Sequence, residues 1–296
     1  MSSRDIAKLV DEVIDRFGQY IAPILDNYSQ FARQIRELVS KLAKEYGFEK
    51  VDFTTEVYSP FETWMWYNAA RNDVDTVLKV NPEIAERQFK GMLKYLKDRE
   101  NAVERYVRTS LAHERGHVEY MRRKLRECRE LAEKGCSERK FQHPYGIAEL
   151  ICGEFFAHKK ERMEDPAIAD ALDEQYLKDV LPEEIAFISY GLDQAMRVGS
   201  IEVIKEILRG YLRHIAHFLE TSYRQRGRYS RSYFENYARM LGLDPKFVDE
   251  IHRVFDEVDK VDDICKCVEK VAKAIEKYMD KVPALRIPYA IRVRGL

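Results

Sequence analysis

NAVERYVRTSLAHERGHVEYMRRKL, residues 101–125, is the stretch on which the fold turns. At about 100° per residue, Val103, Val107, Leu111, Val118, Met121 and Leu125 fall on one stripe, the pattern of an amphipathic helix. Asn101 followed three residues later by Glu104 predicts a capped start, and the helix is expected to run past Met121 towards Gly135. His113 and His117 are four apart and so share a face, close enough for both imidazoles to hold one ion. Glu114 falls in the middle of the apolar stripe, where a buried carboxylate needs a charged or hydrogen-bonding partner. A water activated by a metal is one such partner. An arginine from elsewhere is the plainer one, and a two-histidine pattern this short also arises by chance. Arg115 and Gly116 project away from the stripe, so Arg115 can stay solvated. Gly116 costs about 1 kcal/mol relative to alanine inside a helix, which predicts that another element passes close to that side.

Upstream, apolar residues recur at helical spacing through Ile6, Val10 and Ile14 and again through Phe31, Ile35, Leu38 and Leu42, predicting two helices that stop near Gly47. VDFTTEVY (51–58) and TVLKV (76–80) are rich in β-branched and aromatic residues and predict strands. Asn81-Pro82 ends the second strand and suits the first turn of a helix. Downstream, IAELICGEFFAHKKERM (147–163) predicts a helix ending before Pro166. On its wheel Glu154 shares a face with Ile147, Leu150, Ile151, Ala157 and His158, while Glu149 points to the opposite side. From Leu181 onward the pattern is again helical, with breaks near Gly210, Gly227 and Gly242-Leu243-Asp244-Pro245. The expected class is α+β, predominantly α-helical, with a small sheet before the metal helix. The expected division is N-terminal helices over 1–48, a metal-binding core over 49–180 and a C-terminal helical part over 181–296.

Leu111-Ala112-His113-Glu114-Arg115-Gly116-His117 resembles the metal helix of the zincin metallopeptidases, where L-A-H-E-x-G-H is a common form. Glu154-Phe155-Phe156-Ala157 resembles the E-x-x-A stretch that carries the third ligand in the glutamate type. The resemblance covers the central third of the chain. It implies a zincin-like core, Zn2+ held by His113, His117 and Glu154, and Glu114 as general base in the hydrolysis of a peptide or protein substrate. Arg115 departs from the family, in which that position is usually uncharged. The developing oxyanion would want a donor from the C-terminal helices. His214, at the edge of the stripe formed by Ile204, Leu208, Tyr211, Ile215 and Phe218, is the candidate, with Tyr145 second; His217 points the other way. His158, one turn past Glu154, either orients a ligand or is an ordinary satisfied helix histidine.

Two other readings compete. Glu114-x-x-His117-x-Glu119 also looks like the E-x-x-H helix of ferritin-like di-iron carboxylate proteins, which need a second copy; Asp249-x-x-His252 is the only partial one. A helical binding protein with structural zinc and no turnover is the other. Fifty basic against fifty-one acidic residues leave a formal charge of -1, so no whole-molecule field recruits nucleic acid or anionic membrane. The Arg/Tyr tract SYRQRGRYSRSYF (222–234) is expected to be a solvated loop, and nucleic-acid binding is not expected. No apolar run spans a bilayer and the N-terminus lacks a signal-like segment, so a cytoplasmic protein is expected. Trp64-Met65-Trp66-Tyr67 is expected in the core. Cys128, Cys136, Cys152, Cys265 and Cys267 are odd in number and show no framework spacing, so mostly free thiols are expected.

Overall fold

A computed structural model of the chain describes residues 30–57, 59–128, 144–186, 201–279 and 281, without the side chains of 201–209. The helix expected around Ile6 to Ile14 lies outside the described residues. The first described helix, α1 (30–42), buries Ile35, Val39 and Leu42 and ends in a turn closed by Gly47 at φ +81°. That backbone conformation favours glycine, as the sequence had suggested.

Three strands follow: β1 (Val51–Phe53), β2 (Phe61–Asn68) and β3 (Asp73–Val80). The sheet order is β1-β3-β2, with β1 parallel to β3 (Val51 opposite Leu78) and β2 antiparallel to it (Phe61 opposite Val80). Sequence reading found β1 and the central β3 and missed β2, whose aromatic run it had assigned to the core. In fact Trp64, Trp66 and Tyr67 are 48, 47 and 53% exposed, because β2 is an edge strand. Trp64 is covered by the ammonium of Lys79, 3.5 Å from its ring centre.

Asn81 caps α2 (Pro82–Met92), accepting from the amides of Glu83 and Ile84 while its own amide donates to the Val57 carbonyl at 2.9 Å. Next comes α3 (Ala102–Glu127), the helix of the decisive stretch. Its start is not the capping pair that was expected: Asn101 sits in the left-handed region at φ 48° and its side chain caps nothing. α4 (Pro144–Glu164) and α5 (Pro166–Gln175) are joined at Asp165, which caps α5. A π-helical turn, Tyr176–Val180, leads into a helical stretch described as far as residue 186. α6 (Ile201–Gln225), α7 (Arg231–Met240), α8 (Pro245–Val261) and α9 (Ile264–Tyr278) complete the described chain. The protein is thus α+β and mostly helical.

Two apolar clusters organise these elements. The smaller joins α1, the sheet, α2, the first half of α3 and part of α5, through residues such as Leu42, Leu78, Phe89, Tyr106 and Leu111. The larger joins the end of α3 to α4 and α6 through α9, around Phe155, Phe218 and Phe255. α3 runs from one cluster into the other, and His113 and His117 lie at the crossing, between Leu111 of the first and Tyr120 of the second. α4 is apolar around most of its circumference and is correspondingly central, packed by α3, α6 and α9. At the α3–α4 crossing a Cβ on Gly116 would lie 2.6 Å from the Cα of Ala157. This is the close approach that an otherwise unfavourable helix glycine implied.

The cysteines correct the sequence reading. Cys128 is bonded to Cys265 and Cys152 to Cys267, so α9 is stapled to the end of α3 and to α4. The partners are 137 and 115 residues apart, and only the packing of α9 brings them together.

Candidate metal centre

His113 and His117 project from α3 towards α4, where Glu154 meets them. The two Nε2 atoms are 3.1 Å apart, and Glu154 Oε2 lies 3.7 Å from the first and 3.8 Å from the second. Ligands placed tetrahedrally at 2.0–2.1 Å from a zinc-sized ion are roughly 3.3 Å apart, so the triangle fits one such ion and leaves a fourth position for solvent or substrate. The three side chains are 18, 21 and 15% exposed, which keeps that position reachable.

The ring nitrogens turned away from this triangle have their own partners. A carboxylate can only accept, so His113 donates from Nδ1 to Glu161 Oε2 at 2.9 Å, and His158 donates from Nδ1 to the same oxygen at 3.1 Å. Glu161 therefore orients two imidazoles, in the manner of carboxylates that position metal-binding histidines. Replacing it with glutamine is expected to weaken divalent-metal binding about 10–100-fold, measured by competition with a chromophoric chelator. An unchanged affinity would show that Glu161 only packs.

The electrostatics match ionised carboxylates among imidazoles. Burial pushes Glu154 towards its neutral form, but His117, His113, His158 and His217 outweigh it and bring its pKa down to about 2. Glu161 is likewise held below the usual carboxylate range against burial, chiefly by His158 and His113. Burial lowers His117, and burial with the neighbouring His158 lowers His217 to about 3, so both stay neutral and free to ligate. His158 behaves oppositely: burial opposes its charge, yet Glu220 and Glu161 together raise it to about 10.

His113, His117 and Glu154 are thus brought together as the sequence suggested. Glu114 lies beside them, 7% exposed, with an electrostatic effect on His117 and no hydrogen-bond or ion-pair partner among the described residues. Arg115 is solvated as expected and bonds Glu119, which also pairs Lys160. His214 is a correction. Its Nε2 lies 3.3 Å from Glu184, outside the cluster, and it is His217 whose Nδ1 reaches His158 Nε2, at 3.0 Å. The wheel misled because α6 is buried around much of its circumference, through Leu212, Ile215, Ala216, Phe218 and Leu219, so the side opposite the chosen stripe also faces protein. Tyr145 packs against the larger apolar cluster. Asp249 and His252 do not join the centre: the former pairs Arg231 and the latter bonds Ser222.

Sequence reasoning also passed over Glu161, Glu220 and Asp173. The signal was present in Glu154, His158 and Glu161, which recur at four and three along one face of the helix, and in His217 followed by Glu220. In the Arg/Tyr tract each arginine is paired: Arg224 with Glu220, Arg226 with Asp256, Arg228 with Asp170 and Arg231 with Glu235. That leaves these cations neutralised by the protein's own carboxylates rather than displayed to a phosphate backbone. No described helix is long and apolar enough to cross a membrane. No family model, no curated protein and no solved structure matches the chain, so the functional reading rests on the geometry of this cluster.

Proposed function

We propose that the chain is a zinc-dependent metallopeptidase with a zincin-like core, its ion held by His113, His117 and Glu154. The carrying observation is the triangle of ligand atoms at 3.1–3.8 Å with a buried Glu114 carboxylate, unpartnered among the described residues, on the adjoining position of the same helix. When bound, zinc supplies Lewis acidity that activates a water and polarises the scissile carbonyl. The chain's own part is proton transfer and orientation. Glu114 takes a proton from the attacking water as the new C–O bond forms, then delivers it to the nitrogen as the C–N bond breaks, so that an acid and an amine leave. Glu161 holds the His113 ring in the tautomer that presents Nε2. Gly116 lets α3 approach α4 closely enough for Glu154 to complete the set.

The substrate is a peptide or protein. We place the protein in the cytoplasm, a compartment in which disulfides persist in hyperthermophiles, whose proteins also favour dense surface ion pairs like these.

Glu114→Gln keeps the shape and removes the base. Hydrolysis of a fluorescence-quenched peptide library by the zinc-loaded protein should fall about 10²- to 10⁴-fold, with zinc content unchanged. Full activity in the variant would remove Glu114 from the reaction. No hydrolysis by the wild-type protein across the library would leave a structural zinc site.

A further inference from the structure

Beyond the first triangle, a second set of ligand atoms meets at the same carboxylate. His158 Nε2 lies 3.9 Å from Glu154 Oε2 and 3.0 Å from His217 Nδ1, and all three atoms fall within 4.8 Å of one another. We propose that the protein holds a second divalent cation between His158, His217 and Glu154, so that Glu154 bridges a two-metal centre. This deepens the peptidase reading and rests on it for the identity of the first site.

Ligand atoms converge here from three helices. Glu161 accepts from the Nδ1 of both His113 and His158, which turns the Nε2 of each ring towards Glu154 and a second imidazole. Each of those nitrogens faces another ring nitrogen at 3.0–3.1 Å and the same Glu154 oxygen. Each group gathers imidazole and carboxylate ligand atoms around one point, the donor set that a divalent cation takes. Two histidines of α3 in one group and one each from α4 and α6 in the other share a single carboxylate, the ligand inventory that a two-metal hydrolase site would use. The ligands come from α3, α4 and α6, so the second ion would tie α6 to the helices that carry the first.

The neighbouring carboxylates do not offer a better place. Asp173 pairs with Arg162 and receives the Gln225 amide at 2.8 Å, and Glu220 pairs with Arg224 at 2.9 Å. Each carboxylate is thus already engaged by a guanidinium group. Glu220 Oε2 lies 3.4 Å from His158 Nδ1 and so reinforces the orientation set by Glu161. Tyr176, in the π-helical turn, packs its ring 4.1 Å from that of His217 and closes the far side.

The test is metal counting on the full chain. Metal-free protein is equilibrated with zinc, freed of excess and analysed for zinc and protein by mass spectrometry. Two ions per wild-type chain are expected, one in His217→Gln, one in His117→Gln, and loss of both from Glu154→Ala. Circular dichroism melts check that each variant is folded. Mn2+-loaded wild-type protein supplies a variant-free readout, since two ions bridged by one carboxylate give an exchange-coupled resonance spectrum in place of six isolated lines. A single ion in the wild type, or two retained in His217→Gln, overturns the second site. One zinc, lost from His117→Gln and kept in His217→Gln with hydrolysis intact, would do so while leaving the peptidase standing. Two zincs without any hydrolysis would do the reverse.

Discussion

Glu149→Leu is expected to destabilise the metal-free protein by about 3–5 kcal/mol, and Glu149→Leu/Lys124→Met to recover most of that loss. Lys124 and Glu149 form an ion pair at 3.1 Å across the α3–α4 interface, with side chains 1% and 4% exposed. Two charges withdrawn this far from water are held by each other. Taking the carboxylate away leaves the ammonium in a low-dielectric interior among Tyr120, Ile151 and their neighbours. Taking both away and filling the space with apolar side chains is often neutral or better, because the desolvation of two ions disappears with their attraction. Denaturant titration of metal-free samples is the measurement, since bound metal would add its own stabilisation. A single variant within 1 kcal/mol of wild type, or a double variant no better than the single, would show that the pair is not what joins these helices. Lys124 lies two helical turns beyond His117, so a loosened interface should also weaken metal binding in the single variant.

How much of this was legible in the sequence follows from the dimension each feature occupies. Periodicity lives on one helix. It placed His113, Glu114 and His117 relative to the stripe of α3 and Glu154 relative to that of α4, and all four ended where one helix predicts. Local chemistry was equally readable, as Asn81-Pro82 at the start of α2 and Gly47 at the end of the first turn show. Gly116 was informative because it was a poor helix residue, and the backbone of Ala157 explains the choice. What failed depended on what surrounds an element. His214 was preferred to His217 because one apolar stripe was taken for the whole contact surface of α6, although that helix is packed on more than one side. The β2 aromatics looked like core residues because composition cannot say that a strand is at the edge of a sheet. The Asn101 cap failed because the pattern of residue types was right and the backbone at Asn101 took the left-handed conformation instead.

Opening either disulfide is expected to cost about 2–5 kcal/mol, and opening both to cost less than the sum of the two. A crosslink across a loop of about a hundred residues removes on the order of 4.7 kcal/mol of chain entropy from the unfolded state. Cys128–Cys265 and Cys152–Cys267 span 137 and 115 residues, but the loops overlap almost completely. With one bond intact the other closes only the short segments between neighbouring cysteines, and its own contribution shrinks. The check is denaturant unfolding of Cys128→Ala/Cys265→Ala, Cys152→Ala/Cys267→Ala and the fourfold variant, all metal-free. Strict additivity would sink the overlapping-loop argument, and a fourfold variant as stable as wild type would sink the crosslinks themselves. Thiol labelling of the unfolded, unreduced wild-type chain should modify at most one of its five cysteines. The bonds also bear on the metal centre. α9 contributes no ligand to either triad, yet it is fastened to α3 beyond His117 and to α4 just before Glu154. Their relative position sets the distance between the two histidines and their carboxylate. The fourfold variant should therefore bind zinc more weakly than the wild type, even under conditions where both are fully folded.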